Sequence, residues 1–401
     1  MSIQLSYQKN LLNFILALVF ILLSSSANAA PTLLWKMEFD SRIVKTSDLM
    51  DFDVGKDGKG GRFPLKTVMT EKSIYVLDSK GKVEKKISLK NSAKTAMSDD
   101  GLTIATLKGK EITLSRIKET EIRSQKSELK SWEQIEGVVK IADSQPVVLP
   151  QHVFFDLSPN GNTIVVLSFF THNIYFHNRK GELLTTHHVD DLRSAKVKFS
   201  GNGEYAAIHI PNWGKGKTTG YLLFFSTKGK KLWRFEHKGC QATFDISFEG
   251  QSIVMAAEDK LYSLDKRGNV LYEKELIPGE MDIALSGDGK YIVKTMTQDH
   301  SISLLDNSKG KAMWLQKIKG YDSINSPFGS LVISYSGNLI AITISKDWTI
   351  RNKESFLYLF LIDGSIVEQD SFKENRIRSV LSSDSKCIMI IGQKNTHLYK
   401  F

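Results

Sequence analysis

A turn of the form Ser-x-x-Gly or Asp-Gly recurs eight times along this chain, each time between two short apolar runs. The turns are Asp57-Gly58, Ser98 to Gly101, Ser158 to Gly161, Ser200 to Gly203, Ser247 to Gly250, Ser286 to Gly289, Ser334 to Gly337 and a degenerate Ser382 to Ser385. From Gly101 onward the glycines are 60, 42, 47, 39 and 48 residues apart. A period of about 40–50 residues is the mark of a β-propeller, in which each repeat is one blade. Asn, Asp and Gly recur in these turns because tight hairpins need positive φ at low steric cost.

The unit around Gly289 illustrates the blade. Met281 to Leu285, Tyr291 to Thr295, Ser301 to Leu305 and Ala312 to Leu315 are β-branched or apolar runs, predicted as four short antiparallel strands, A to D. A second turn, between C and D, reads Asp78 to Gly81, Asn178 to Gly181, Ser226 to Gly229, Asp265 to Gly268, Asp306 to Gly310 and Asp363-Gly364. The stretches Ser73 to Lys82, Leu261 to Asn269 and Leu222 to Trp233 resemble the PQQ-like repeat, with its apolar-x-Leu-Asp-x-x-Gly-Lys pattern and following Trp. The Ser-x-Asp-Gly-x-Tyr turn is also similar to WD40-type and YVTN-type propellers. The resemblance implies a scaffold and is nearly silent on function, because such propellers host many unrelated tasks.

The C-terminal stretch Ser382 to Phe401 supplies strands A, B and C alone, and Thr32 to Phe39 reads as an orphan strand D. Pairing them completes the last blade and hides two edges that would otherwise invite aggregation. The expectation is an all-β, eight-bladed propeller over 30–401, closed by its N-terminal strand, with an insertion or long loop at 121–150. Seven blades result if the region from Asp51 to Gly61 is only a loop.

Lys9, the apolar run Leu11 to Leu23 and the small residues Ala27 and Ala29 read as a secretory signal peptide over 1–29, cleaved near Ala29. At about 13 residues the run is short of the ~20 needed to span a bilayer, so no membrane insertion is expected after cleavage. The predicted location is periplasmic or extracellular. Cys240 and Cys387 lie far apart in the repeat and are not expected to pair. The formal net charge is +10. It argues for a solvated rim or an acidic partner, including contact with an anionic envelope polymer; the compartment argues against nucleic acid.

The A–B and C–D turns share one face of a propeller, and the B–C and D–A connections share the other. The first set is short and uniform. The second holds the irregular loops, where a rigid scaffold usually carries function. The fourth B–C loop contains Trp213, Lys215 and Lys217, and the seventh contains Trp348 and Arg351. A D–A connection is expected from Glu121 to Pro150, with Trp132. Phe170, His172, His187, His188, Asp190, Asp191, His237, Asp299 and His300 are expected on the same face. The binding candidates are therefore Trp213, Lys215, Lys217, Trp348, Arg351, His172 and His300.

Several motifs fail on inspection. Gly214 to Thr218 lacks the glycine a phosphate-binding loop needs at position 211, which is Pro. Asp51 to Gly58 has alternating acids, but Arg62 stands where a calcium loop needs Glu. No metal or cofactor is expected: the chain has no vicinal cysteines, unlike the quinoprotein dehydrogenases that share the PQQ-like repeat. The resulting expectation is a binding or scaffolding subunit of an envelope complex. The alternatives are a hydrolase or lyase on envelope carbohydrate using His172, Asp299 and His300, and a small-ligand or metal sensor on the same rim.

Overall fold

A computed structural model describes residues 31–39, 41–46, 66–77, 80–89, 94–108, 110–117, 133–140, 153–212, 218–276, 281–296, 301–318, 328–345, 354–374, 377–382 and 385–401. These residues form eight four-stranded antiparallel sheets, each built from strands consecutive in the chain except the last. Blades 1 to 7 span 43–88, 94–140, 153–188, 196–238, 242–275, 281–317 and 328–372. Blade 8 takes strands A to C from 378–400 and its strand D from Thr32–Glu38. Eight blades and closure by the N-terminal strand are thus observed; the register runs from Thr32 opposite Lys400 to Glu38 opposite Asn395.

The core is divided in the same way. Eight clusters of buried side chains fill the eight seams between neighbouring blades. The seam that closes the ring joins Phe39, Ile43 and Tyr75 to Cys387, Met389 and Leu398. B and C strands lie inside the seams and are apolar on both sides. Strand D is the outer edge, and Val270–Glu275 is exposed at most of its positions. Cys387 packs as a small apolar residue, and both cysteines are free thiols.

The recurring Ser has a role beyond the turn itself. In blades 2 to 8 its hydroxyl is buried and accepts the backbone N–H of the first strand B residue or its neighbour, as from Thr103 to Ser98 (2.9 Å), Tyr291 to Ser286 (3.0 Å) and Cys387 to Ser382 (2.8 Å). Adjacent turns are then tied to each other. Asp100 N–H donates to Pro159 O, Asn202 to Phe248, Phe248 to Gly287 and Asp288 to Tyr335, all at 2.8–2.9 Å. The outer rim is tied in the same sense. Trp233 Nε1 donates to Lys266 O (2.9 Å) and Trp314 Nε1 to Ile362 O (2.8 Å), each reaching the C–D turn of the next blade. Gly268 and Gly364 sit under these indoles, where a Cβ would come within 2.8–3.0 Å of the ring.

The eighth turn departs from the pattern. Ser385 occupies the glycine position at φ +61°, and its hydroxyl is buried without a partner. A left-handed residue other than Gly costs about 1–2 kcal/mol, so Ser385→Gly is expected to stabilise the fold by about 1 kcal/mol. Urea unfolding of the two proteins checks this; an unchanged or lower midpoint contradicts it.

One expected connection resolves differently. Within 121–150, Glu133–Lys140 forms strand D of blade 2, paired along Glu111–Ile117. The long connection in that blade therefore runs from C to D over 118–132, and a separate D–A connection follows. Asp57-Gly58 lies between Ile43–Thr46 and Lys66–Thr70, outside the described residues.

Candidate functional site

The eight A strands face one another around the central channel, and contacts between A strands of successive blades line it. The A strands of blades 2 to 7 start at the loop face and end at a Ser-x-x-Gly turn, and that of blade 8 ends at the degenerate Ser382 to Ser385 turn. Alternation along the strand sends every second residue into the channel, as the exposed Lys196 and Lys198 of blade 4 illustrate.

Lysines staple this inner ring. Lys45 Nζ donates to Met97 O (2.6 Å), Lys94 to Val153 O (3.2 Å) and Lys196 to Ala242 O (3.1 Å), each crossing to the next blade. Toward the turn end, charges are matched. Lys45 pairs with Asp99 at 2.8 Å and Lys198 with Asp245 at 2.9 Å. Asp245 also accepts the N–H of Leu285, reaching a third blade. Burial, with the like charge of Asp99, raises the Asp156 carboxyl above the usual range, against the pull of Lys45, Lys94 and the Leu157 N–H. Among the described residues the A strands thus bring charged side chains to the inner ring.

Of the candidate binding residues, His172 is described; Trp213, Lys215, Lys217, Trp348, Arg351 and His300 lie outside the described residues, as do Trp132 and Asp299. His172 occupies the B–C turn of blade 3 at φ +53°. Its carbonyl accepts the Val189 N–H (2.9 Å), its Nδ1 is buried without a partner, and its ring lies 6.4 Å from that of His188. Close by, Arg193 grips Asp191 with contacts of 2.7–3.1 Å. The Arg193 hydrogen bonds hold the Asp191 carboxyl below its ordinary range.

Two histidines expected on the loop face are otherwise engaged. His187 Nε2–H donates to Gly229 O (2.7 Å) in a C–D turn of blade 4, which fixes it as an inter-blade tie. His237 is buried in strand D of blade 4, against His209 of strand B. Their Nε2 atoms are 3.0 Å apart and their rings stack 5.1 Å between centroids. The tautomers follow from the neighbours. His237 Nδ1–H donates to Lys238 O (2.8 Å), so its Nε2 is a bare acceptor and His209 Nε2 carries the hydrogen. Gly220 makes room, since a Cβ there would lie 2.6 Å from the His237 ring and 3.0 Å from His209 Nε2.

This pair lies directly under the loop bearing Trp213, because Pro211 opposes Gly220 and Asn212 opposes Thr219 at its base. Burial pushes His209 down to about 3, helped by the electrostatic effect of the adjoining His237 ring and of Lys196. Burial also lowers His237, against its bond to Lys238 O and the charge of Glu258. Among the described residues no group of three or more His, Cys, Asp or Glu is placed to hold a metal ion.

No protein-family model matches the chain, and no curated protein matches it. Among solved structures it is similar to BamB from Moraxella catarrhalis, at 10% identity over 92% of this chain and 100% of that one, with a TM-score of 0.57. It is similar to the Dos1 propeller at 12% identity, covering 92% and 95%, with a TM-score of 0.60. It is also similar to the WD40 domain of SCAP from fission yeast at 10% identity, covering 92% and 98%, with a TM-score of 0.57. At such identities the likeness is one of fold: the chain is built as a β-propeller of the kind seen in WD40-like and PQQ-like repeat proteins.

Proposed function

We propose that the protein is an exported propeller that serves as a protein-binding or scaffolding subunit of a cell-envelope complex, with its loop face toward the partner. The observation that carries this reading is the contrast between the mutually bonded A–B turns of blades 2 to 7 and the loop face. On the turn face, backbone groups of successive turns bind one another, from Asp100–Pro159 to Asp288–Tyr335. A surface whose polar groups are already paired has little left to offer a ligand. The loop face carries the longer B–C connections of blades 4 and 7, at 213–218 and 346–354. Aromatic residues in such loops, here Trp213 and Trp348, are the residue type that anchors interfaces. The leader at 1–29 supports export to a periplasmic or extracellular site.

The test is a pull-down of the tagged mature protein from native envelope extract. The double variant Trp213→Ala/Trp348→Ala and a turn-face variant, Lys228→Glu/Lys309→Glu, run in parallel. The expected result is one specific partner, lost with the first variant and kept with the second. A protein that returns alone from the extract overturns the scaffold reading.

A further inference from the structure

Exposed apolar side chains on this disc are not scattered. Most of the large hydrophobics exposed among the described residues lie in strand D, at the end that follows the C–D turn. Val83, Leu183, Leu232, Leu271, Met313 and Ile366 hold such positions in blades 1, 3, 4, 5, 6 and 7. Leu33, second in Thr32–Glu38, holds the same place in blade 8. Leu183, Leu271 and Ile366 keep 55%, 53% and 51% of their surface in solvent. Each strand then turns polar toward the loop face, as in Glu84-Lys85-Lys86, Glu273-Lys274-Glu275 and Glu368-Gln369-Asp370. Single exposed apolar residues are ordinary. The same end of the same strand in seven blades is instead a belt around one rim, and a contiguous exposed apolar zone marks a contact surface.

The turns beside this belt are cationic. Arg179 and Lys180 in blade 3, Lys228 and Lys230 in blade 4, and Lys309 and Lys311 in blade 6 are all exposed. The acids of these turns bend back on the backbone. Asp265 accepts the N–H groups of Arg267 (2.8 Å) and Asn269 (2.9 Å), Asp306 that of Ser308 (2.7 Å) and Asp363 that of Ser365 (2.8 Å). The belt begins two residues past the turn glycine, at Val83 after Gly81, Leu183 after Gly181 and Ile366 after Gly364. At roughly 3.3 Å per residue it lies within about 10 Å of the turn tips. Apolar groups of interfacial proteins enter a bilayer to that depth.

The shape of the zone narrows the choice of occupant. A peptide or a small ligand touches one or two blades, whereas an extended surface touches the whole rim. A second copy stacked on this face would set cationic turns against cationic turns. The charged second halves of the D strands oppose pairing edge to edge. The expected leader also joins the disc here, because Thr32 opposes Lys400 at the turn end of blade 8. While that leader is attached, this rim is the part of the disc nearest the bilayer.

We propose that the turn-side rim docks peripherally on a bilayer rich in anionic phospholipid. The lysines and arginines of the C–D turns meet the headgroups, and the apolar belt enters the interface. The disc then lies flat, with its loop face toward the aqueous side. Such docking draws on side chains, so the backbone pairing of the A–B turns does not oppose it. It goes beyond the scaffold reading and does not depend on which protein the loop face binds. Apolar burial and charge attraction add in binding of this kind, and each basic side chain near an anionic surface strengthens it about fivefold.

Co-sedimentation of the full mature chain with vesicles tests this. One set of vesicles holds equal parts of phosphatidylglycerol and phosphatidylcholine, the other phosphatidylcholine alone. Saturable binding to the first set is expected, weakened by salt and lost on the second. Lys228→Glu/Lys309→Glu should lower the affinity at least about tenfold. Lys238→Glu/Lys317→Glu reverses the same number of charges in the same two blades, at the loop ends of their D strands, and should change it less than about twofold. Leu183→Gln/Leu271→Gln should lower it about tenfold at an unchanged melting temperature. Absence of binding at low salt overturns the proposal, and so does equal loss in the two lysine variants. An unaltered affinity in the leucine variant overturns it as well, since charge alone would then account for the contact. Light scattering without vesicles completes the test: a dimer that dissociates in the leucine variant puts a second copy on the rim and overturns membrane docking. The envelope pull-down separates this from the scaffold reading. Vesicle binding by a protein that returns alone from the extract sinks the scaffold and leaves the docking. A partner lost only in Trp213→Ala/Trp348→Ala, with no vesicle binding, does the reverse.

Discussion

Removing residues 32–38 is expected to make the protein several kcal/mol less stable and to cause it to self-associate. Strand Thr32–Glu38 is the outer strand of blade 8 and pairs with Asn395–Lys400 in six registered positions. Its loss exposes the edge of that strand and uncovers the cluster of Cys387, Met389 and Leu398 on which Met37 packs. Net backbone hydrogen bonds contribute about 0.5–1.5 kcal/mol each, and domain stability is only about 5–15 kcal/mol. The deletion therefore removes a large share of the margin and leaves an open strand edge as a template for association. Urea unfolding and light scattering check both parts. Addition of the free peptide 31–40 should return the midpoint toward wild type. A deletion variant that stays monodisperse with an unchanged midpoint would refute closure by this strand.

Acid is expected to destabilise the protein well before its carboxylates titrate, through His209 and His237. Both rings are buried neutral and share a single Nε2 hydrogen. The folded pKa of His209 is about 3, whereas an unfolded histidine titrates near 6.5. The folded value is depressed, so the unfolded chain binds more protons between these two pH values. The stability this group contributes is present above about pH 6.5 and is lost as pH falls toward about 3. Between pH 7 and 4 the loss for His209 alone is about 3 kcal/mol. His237, lowered for the same first reason, shifts the balance in the same direction. The measurement is the urea midpoint of wild type and of His209→Phe at pH 7, 5.5 and 4. A steep fall in the wild type and a shallower one in the variant are expected; parallel profiles would show that the pair does not carry the acid sensitivity.

The fold was legible because its signals are local and periodic. Ser98, Ser158, Ser200, Ser247, Ser286, Ser334 and Ser382 recur at one phase of the repeat, and each marks the same A–B turn. The Ser hydroxyl bond to strand B was not legible, since a turn residue and a buried acceptor look alike in sequence. Strand Glu133–Lys140 was missed because Glu133, Gln134, Glu136 and Gly137 have weak strand propensity. Its pairing with Glu111–Ile117, across a bulge at Leu114/Ser115, imposes the conformation. The histidine pair was missed for another reason. His237 follows a polar, exposed stretch and reads as a loop residue, and its contact with His209 comes from two strands that flank a third. Gly220, on the intervening strand, was the available signal.

Closure of the ring also decides where the chain ends point. Thr32 sits opposite Lys400, at the edge of blade 8 where every other blade has its C–D turn. The two ends of the described chain thus replace a turn and emerge side by side, away from the channel mouth and the B–C loops. Anything joined to either end, whether a tether, a tag or a second domain, holds the disc by its back and leaves the opposite face turned outward. A short linker between the ends would seal the ring covalently, and new ends could then be opened at any other C–D turn.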